Sequence, residues 1–257
     1  MATVAVFDSG LGSLSIVNAI RDISGCDIIY YADTRSHPYG AKSAGELSRI
    51  VRATLDGLRR TFAPDLVVVG SNTPTLLLDG MEDAGTIGVW PPLSEAASAS
   101  RTGRIAVLAT RVVVESGALD RYAASCGLPG SVTVRGVDAS KLVSLVETGT
   151  FLRDPERCRA VIRDVLRHTG DADVCTLSST HLPFIRGMME RERPGTVFLD
   201  PAGSVARRVA EVVGGGGGDG TLRIFASETG RIAENLRVLG IREGVSTLDL
   251  APSGSRG

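Results

Sequence analysis

The sequence predicts an α/β protein of two similar domains whose mostly parallel sheets face a central cleft. Three observations lead there. Short β-branched or apolar runs alternate with helical patterns, a rhythm that belongs to parallel sheets covered on both faces. The rhythm restarts at Arg104. Segments of the first half also resemble segments of the second: Val67-Val68-Val69-Gly70-Ser71-Asn72-Thr73 matches Cys175-Thr176-Leu177-Ser178-Ser179-Thr180-His181, and Val6-Phe7-Asp8-Ser9-Gly10 matches Leu108-Ala109-Thr110-Arg111. Any two strand–helix units share some of this character. A true repeat places Ser and Thr just past buried strand ends in both domains, where open α/β sheets hold their ligands.

Val4-Ala5-Val6-Phe7 reads as the first strand, followed by a helix from about Leu14 to Ile23 and a strand from Ile28 to Tyr31. Leu47, Ile50, Val51, Leu55 and Leu58 recur at helical spacing. Leu66 to Val69 is a strand, a short helix lies beyond Pro74, and Thr86 to Val89 closes the first series. After Arg104 come a strand at Ile105 to Leu108 and a helix at Val113 to Ala124. Strands follow near Val132 to Val134, Val174 to Leu177 and Val197 to Leu199, with helices at Lys141 to Glu147, Pro155 to His168 and Ala202 to Val213. Gly214 to Gly218 with Asp219-Gly220 reads as a flexible surface loop, residues 221–240 as a last strand and helix, and the tail after Pro252 as frayed. The expected domains are 1–95 with 207–257, and 96–206.

Composition narrows the function classes. The 257 residues are 43% hydrophobic and 22% charged with a net charge of −1. That balance excludes a strongly basic nucleic-acid binder and argues against disorder. No apolar run is long enough to span a bilayer, and the first thirty residues lack a basic start before an apolar core. Of the 28 basic residues only Lys42 and Lys141 are lysines. Cys26, Cys126, Cys158 and Cys175 are scattered without a C-x-x-C pair, and only His37, His168 and His181 could join them in a metal site, so no metal is expected. A cytoplasmic protein with reduced thiols is the plain expectation.

Asp8-Ser9-Gly10-Leu11-Gly12 follows the first strand but is no dinucleotide fingerprint, because Ser15 stands where the third glycine belongs. Asp8 is either a turn residue or a carboxylate placed to orient or deprotonate a neighbour. His181 carries the same ambiguity.

Phe7-Asp8-Ser9-Gly10-Leu11-Gly12, Asp33-Thr34, Pro38-Tyr39-Gly40, Ser71-Asn72-Thr73, Thr110-Arg111, Glu115-Ser116-Gly117, Glu147 and Ser179-Thr180-His181 together resemble the glutamate racemases of the aspartate/glutamate racemase superfamily. The resemblance runs over essentially the whole chain. It implies two α/β domains about a cleft, a small acidic amino acid or carboxylate as ligand, no cofactor, no nucleic-acid or membrane partner, and a possible homodimer. In that family, two cysteines on opposite faces of the substrate's α-carbon remove and return its proton. Carried over, Asp8 and His181 would assist them, Glu147 would lie at the second face, and Ser9, Pro38, Tyr39, Gly40, Asn72, Thr73 and Thr180 would hold the ligand.

One departure stands out. The family patterns Cys-Asn-Thr and Gly-Cys-Thr-His correspond here to Ser71-Asn72-Thr73 and Ser178-Ser179-Thr180-His181, so Ser71 and Ser179 fall where the cysteines belong. A hydroxyl holds its proton far more tightly than a thiol of pKa about 8.5. Cys175, four residues before Ser179 and roughly 13 Å away at strand rise, is no replacement. Ser178, Leu182, Pro74 and Trp90-Pro91-Pro92 depart from the family as well, which favours natural divergence over engineering. Three readings stay open: an enzyme with altered chemistry in which Asp8 or His181 acts as base or activates a serine, a non-catalytic ligand-binding homologue, and a cysteine-to-serine version of a true racemase.

Overall fold

The computed structural model describes residues 1–214 and 220–250. β1 (Thr3–Asp8) is a buried apolar run that ends on a carboxylate. α1 (Leu14–Ile23) buries Leu14, Ile16, Val17 and Ile20 along one face and leads into β2 (Asp27–Ala32). α2 (Ala44–Phe62) starts where Ser43 accepts a hydrogen bond from the Glu46 N–H, the S-x-x-E arrangement that satisfies an otherwise unpaired donor. It extends beyond the periodic core positions at both ends, because this cap and the left-handed residue Ala63 define its limits. β3 (Leu66–Val69) is wholly buried, and α3 (Asn72–Leu77) follows at once. α3 therefore begins before Pro74, which sits in its first turn where a missing N–H costs nothing. β4 (Thr86–Gly88) completes this stretch.

α4 (Leu93–Ala99) has no counterpart in the expected elements. β5 (Arg104–Ala109) then leads not to one helix but to two, α5 (Arg111–Glu115) and α6 (Ala118–Ser125). The break lies at Gly117, whose φ of 69° lies in the left-handed region that glycine adopts without penalty. β6 (Thr133–Asp138) runs further than expected from Val132–Val134, since its alternating exposure masks it as a run. α7 (Ser140–Glu147), α8 (Thr150–Arg153) and α9 (Pro155–Arg167) follow, the last capped by the Asp154 carboxylate on the Arg157 N–H with proline at its start. β7 (Val174–Leu177), α10 (Arg186–Glu192) and β8 (Val197–Leu199) close this part. The chain ends with α11 (Ala202–Val213), β9 (Leu222–Ala226), α12 (Gly230–Val238) and β10 (Val245–Thr247), a strand beyond the expected last helix. The glycine loop at 215–219 and the tail after Pro252 lie outside the described residues.

Two units result: Met1–Val89 with the chain from Ala202 onward, and Trp90–Pro201. The crossing points expected at 95/96 and 206/207 fall inside α4 and α11. The packing instead changes sides just before each helix, because a helix commits its whole apolar face to one core. The first unit holds a parallel sheet in the order β10-β9-β2-β1-β3-β4, the second a parallel sheet ordered β6-β5-β7-β8. β2-β1-β3-β4 and β6-β5-β7-β8 share one topology. In each, successive strands turn to opposite sides of the unit's first strand, which creates a switch point at the carboxyl ends of β1 and β3, and of β5 and β7.

Close packing at that point is visible at Gly70, directly after β3. Its N–H donates to the Phe7 carbonyl at 2.7 Å, and a Cβ there would stand 2.4 Å from Ser13 Cβ and 3.0 Å from the Phe7 oxygen. Gly70→Ala should therefore cost about 1–3 kcal/mol through overpacking, read as a lower urea unfolding midpoint.

A second prediction concerns the opposite end of the second sheet. Asp173 accepts from Ser100 Oγ at 2.6 Å, the Arg101 N–H at 2.7 Å, and both the N–H and Oγ1 of Thr102. Burial works upward on its carboxyl, but these bonds outweigh it and hold the pKa at about 2, below its ordinary 3.8. A depressed carboxylate stabilises the fold above its unfolded pKa and loses that contribution as pH falls through the folded one. The gap in thermal midpoint between the native chain and Asp173→Asn should thus be full at neutral pH and shrink between about pH 4 and pH 2.

Candidate functional site

The carboxyl ends of β1, β2 and β3 gather the first set of polar groups. Asp8 is 1% exposed, and its Oδ1 accepts the Ser9 N–H at 2.7 Å. The Asp8 carbonyl accepts the Asp33 N–H at 2.7 Å, and the Tyr39 hydroxyl donates to Asp33 Oδ2 at 3.3 Å. Burial and the negative charges of Asp33 and Asp8 raise the Tyr39 phenol well above its usual value, so it remains a neutral donor. Tyr39 packs in the core with Phe7 and Val69, and its turn, Tyr39–Ala41, lies against α3. Gly40 is part of that turn, whereas Pro38, which follows a cis peptide, is exposed.

Ser71, Asn72 and Thr73 are buried where β3 becomes α3. The Ser71 N–H donates to the Val69 carbonyl, and its own carbonyl accepts from Thr75 Oγ1 at 2.8 Å. Asn72 Nδ2 donates to the Val89 carbonyl at 2.8 Å, while Oδ1 is buried with no partner among the described residues. A buried acceptor left open in this way is costly unless something else fills it.

The second unit repeats the arrangement after β7. Ser178 is held by its N–H on the Leu108 carbonyl and by its Oγ against Thr176 Oγ1 at 2.8 Å. Ser179, Thr180 and His181 follow, all buried. Ser179 lies two residues past the end of β7, not on the strand that carries Cys175. His181 Nε2 and Glu147 Oε2 are 2.8 Å apart with side chains only 6% and 10% exposed, Glu147 being the last residue of α7. An ionised carboxylate can only accept, so opposite an ionised Glu147 the His181 Nε2 is the donor of this contact.

None of the four cysteines, all free, enters either cluster. Cys175 is fully buried inside β7, where burial pushes its thiol up to about 11, and burial raises Cys158 too. Among the described residues no three His, Cys, Asp or Glu side chains converge as metal ligands, and no helix is long and apolar enough to cross a membrane.

Asp33 is the residue that sequence reasoning left out of the site. Its signal was present, a carboxylate directly after a strand and part of the segment Asp33-Thr34, but only the structure ties it to Asp8 and Tyr39.

No protein-family model matches the chain. Curated relatives do: the glutamate racemase of Deinococcus radiodurans is 33% identical over 223 residues, which is 83% of this chain and 76% of that protein. Among solved structures, a glutamate racemase isoform from Bacillus anthracis superposes with a TM-score of 0.85 over 97% of this chain and 98% of its own, at 22% identity, a likeness of fold. The Escherichia coli glutamate racemase, solved in complex with L-glutamate and the activator UDP-MurNAc-ala, gives 0.78 at 27% identity over 96% and 97% of the two chains. One-third identity across four-fifths of the sequence settles the kinship: the chain belongs to the glutamate racemase family.

Proposed function

We propose that this chain binds a small acidic amino acid, glutamate or a close carboxylate relative, and acts on it without a cofactor by chemistry other than two-thiol proton transfer. The observation that carries the reading is the pair of buried hydroxyls, Ser71 and Ser179, just past the topologically equivalent strands β3 and β7. In this reading they stand where the family's cysteines stand. The relative from Escherichia coli, solved with L-glutamate, supports the substrate class.

Ser9, Asn72, Thr73 and Thr180, with Pro38, Tyr39 and Gly40, hold the ligand's charged ends. The open Oδ1 of Asn72 suits an ammonium donor, and the neutral Tyr39 hydroxyl suits a carboxylate. Asp8 and the His181–Glu147 pair are the acid–base groups. The His181–Glu147 pair takes a proton from the ligand or from Ser179, and Asp8 does the same in the cluster that holds Ser71. A ligand-binding homologue without turnover is the second reading, favoured by the same two hydroxyls.

The test is calorimetric binding of L- and D-glutamate and aspartate, together with α-proton exchange in deuterated water. Saturable binding with exchange at least about 100-fold slower than a cysteine-bearing relative is the expected outcome. Exchange at the relative's rate would overturn the altered chemistry, and absence of binding would overturn the substrate class.

A further inference from the structure

A cavity of about 320 Å³ runs along the outer edge of β6, and its lining carries the basic residues Arg111, Arg135, Lys141 and His168. That volume is at the small end of ligand cavities, roughly 300–1,000 Å³. Two carboxylates also line it and are already engaged. Asp138 Oδ2 takes Arg111 Nε at 3.1 Å, and Asp164 is shared between Lys141 at 3.7 Å and Arg167 at 2.9 Å. Glu115 adds a 4.0 Å contact to Arg111 Nε.

Three permanent cations thus face two carboxylates, and one of them is uncommitted. Arg135 has no carboxylate partner among the described residues, and its guanidinium extends alongside Gly170, two residues beyond His168. The backbone contributes as well. β6 pairs only with β5, and the N–H groups of Thr133 and Ala139 point at that neighbour. Strand alternation turns the Gly136 N–H the other way, along the open edge that lines the cavity. Charges on an edge strand ordinarily discourage strand pairing, but that role needs neither a concave wall from α9 nor an unpaired arginine inside it.

We propose that this groove is a binding site for a small phosphate-bearing anion, held by the Arg135 fork, the free terminal nitrogens of Arg111, Lys141 and the Gly136 N–H. The inference is independent of the proposed chemistry at Ser71 and Ser179.

The experiment is a calorimetric titration of the full chain with pyrophosphate at physiological ionic strength, on the native protein, Arg135→Glu and Arg60→Glu. Arg60 is exposed on α2 in the other unit and carries the same charge change. Saturable binding that falls at least tenfold in Arg135→Glu and holds in Arg60→Glu is expected, with unfolding midpoints unchanged because Arg135 is exposed. Four results would overturn it: no saturable binding, equal weakening in both variants, competition by glutamate, or tighter binding of a single-stranded oligonucleotide than of pyrophosphate.

Discussion

A Ser71→Cys/Ser179→Cys double variant should exchange the α-proton of glutamate about 10²–10⁴-fold faster than the unmodified chain, the range a positioned acid–base group contributes. The reason is the acidity of the group. A thiol ionises near 8.5, whereas an alcohol holds its proton far more tightly. At about 1.36 kcal/mol per pKa unit, no local field within reach of a serine closes that gap. The surroundings should accept the change. Neither serine side chain serves as a helix cap or hydrogen-bonds a described residue, so replacing oxygen by sulfur breaks nothing that holds the loops in place. Each single variant supplies a base to one cluster alone. It should exchange one enantiomer while inverting configuration slowly. Proton NMR in deuterated water follows both quantities, and equal rates in the native chain and the double variant would refute the expectation.

Glu147→Ala should destabilise the second unit by about 1–3 kcal/mol. Truncation removes the carboxylate that His181 meets in a buried contact at 2.8 Å, and the desolvation of the ring nitrogen is then no longer offset by that bond. Glu147→Gln keeps the shape and one acceptor oxygen, so its cost should be nearer 1 kcal/mol. The single tryptophan makes this measurable. Trp90 stacks on Tyr122 at 4.7 Å within the same unit, so its fluorescence in urea reports the unfolding of that part of the chain. Two units need not unfold together, so the midpoint of this probe is the quantity to compare. An unchanged midpoint in Glu147→Ala would show that the pair contributes nothing to stability.

The legibility of the fold varied with how local its causes are. β3, β7 and β8 and the helices α1 and α11 were readable because their apolar positions follow one period from end to end. Elements were missed or misjudged where another cause intervened. Gly117 splits α5 from α6 inside a continuous apolar pattern, and β6 hides because its edge position leaves alternate residues in solvent. The site shows the same division. Asp8, Ser71, Ser179 and His181 could be named as polar residues at or just past strand ends, whereas Asp33 enters only through its backbone bond to Asp8 and its side-chain bond to Tyr39.

By itself, then, the sequence determined the α/β alternation, the polar residues that end each strand, and the presence of serine at 71 and 179. These are properties of neighbours along the chain, where side-chain period and residue type act directly. Only the tertiary structure decided that β3 lies beside β1 and β7 beside β5, that Glu147 meets His181 from 34 residues away, and that Arg111, Arg135 and His168 line one groove. Strand order and such distant contacts follow from how whole apolar faces pack against one another, which no local period encodes.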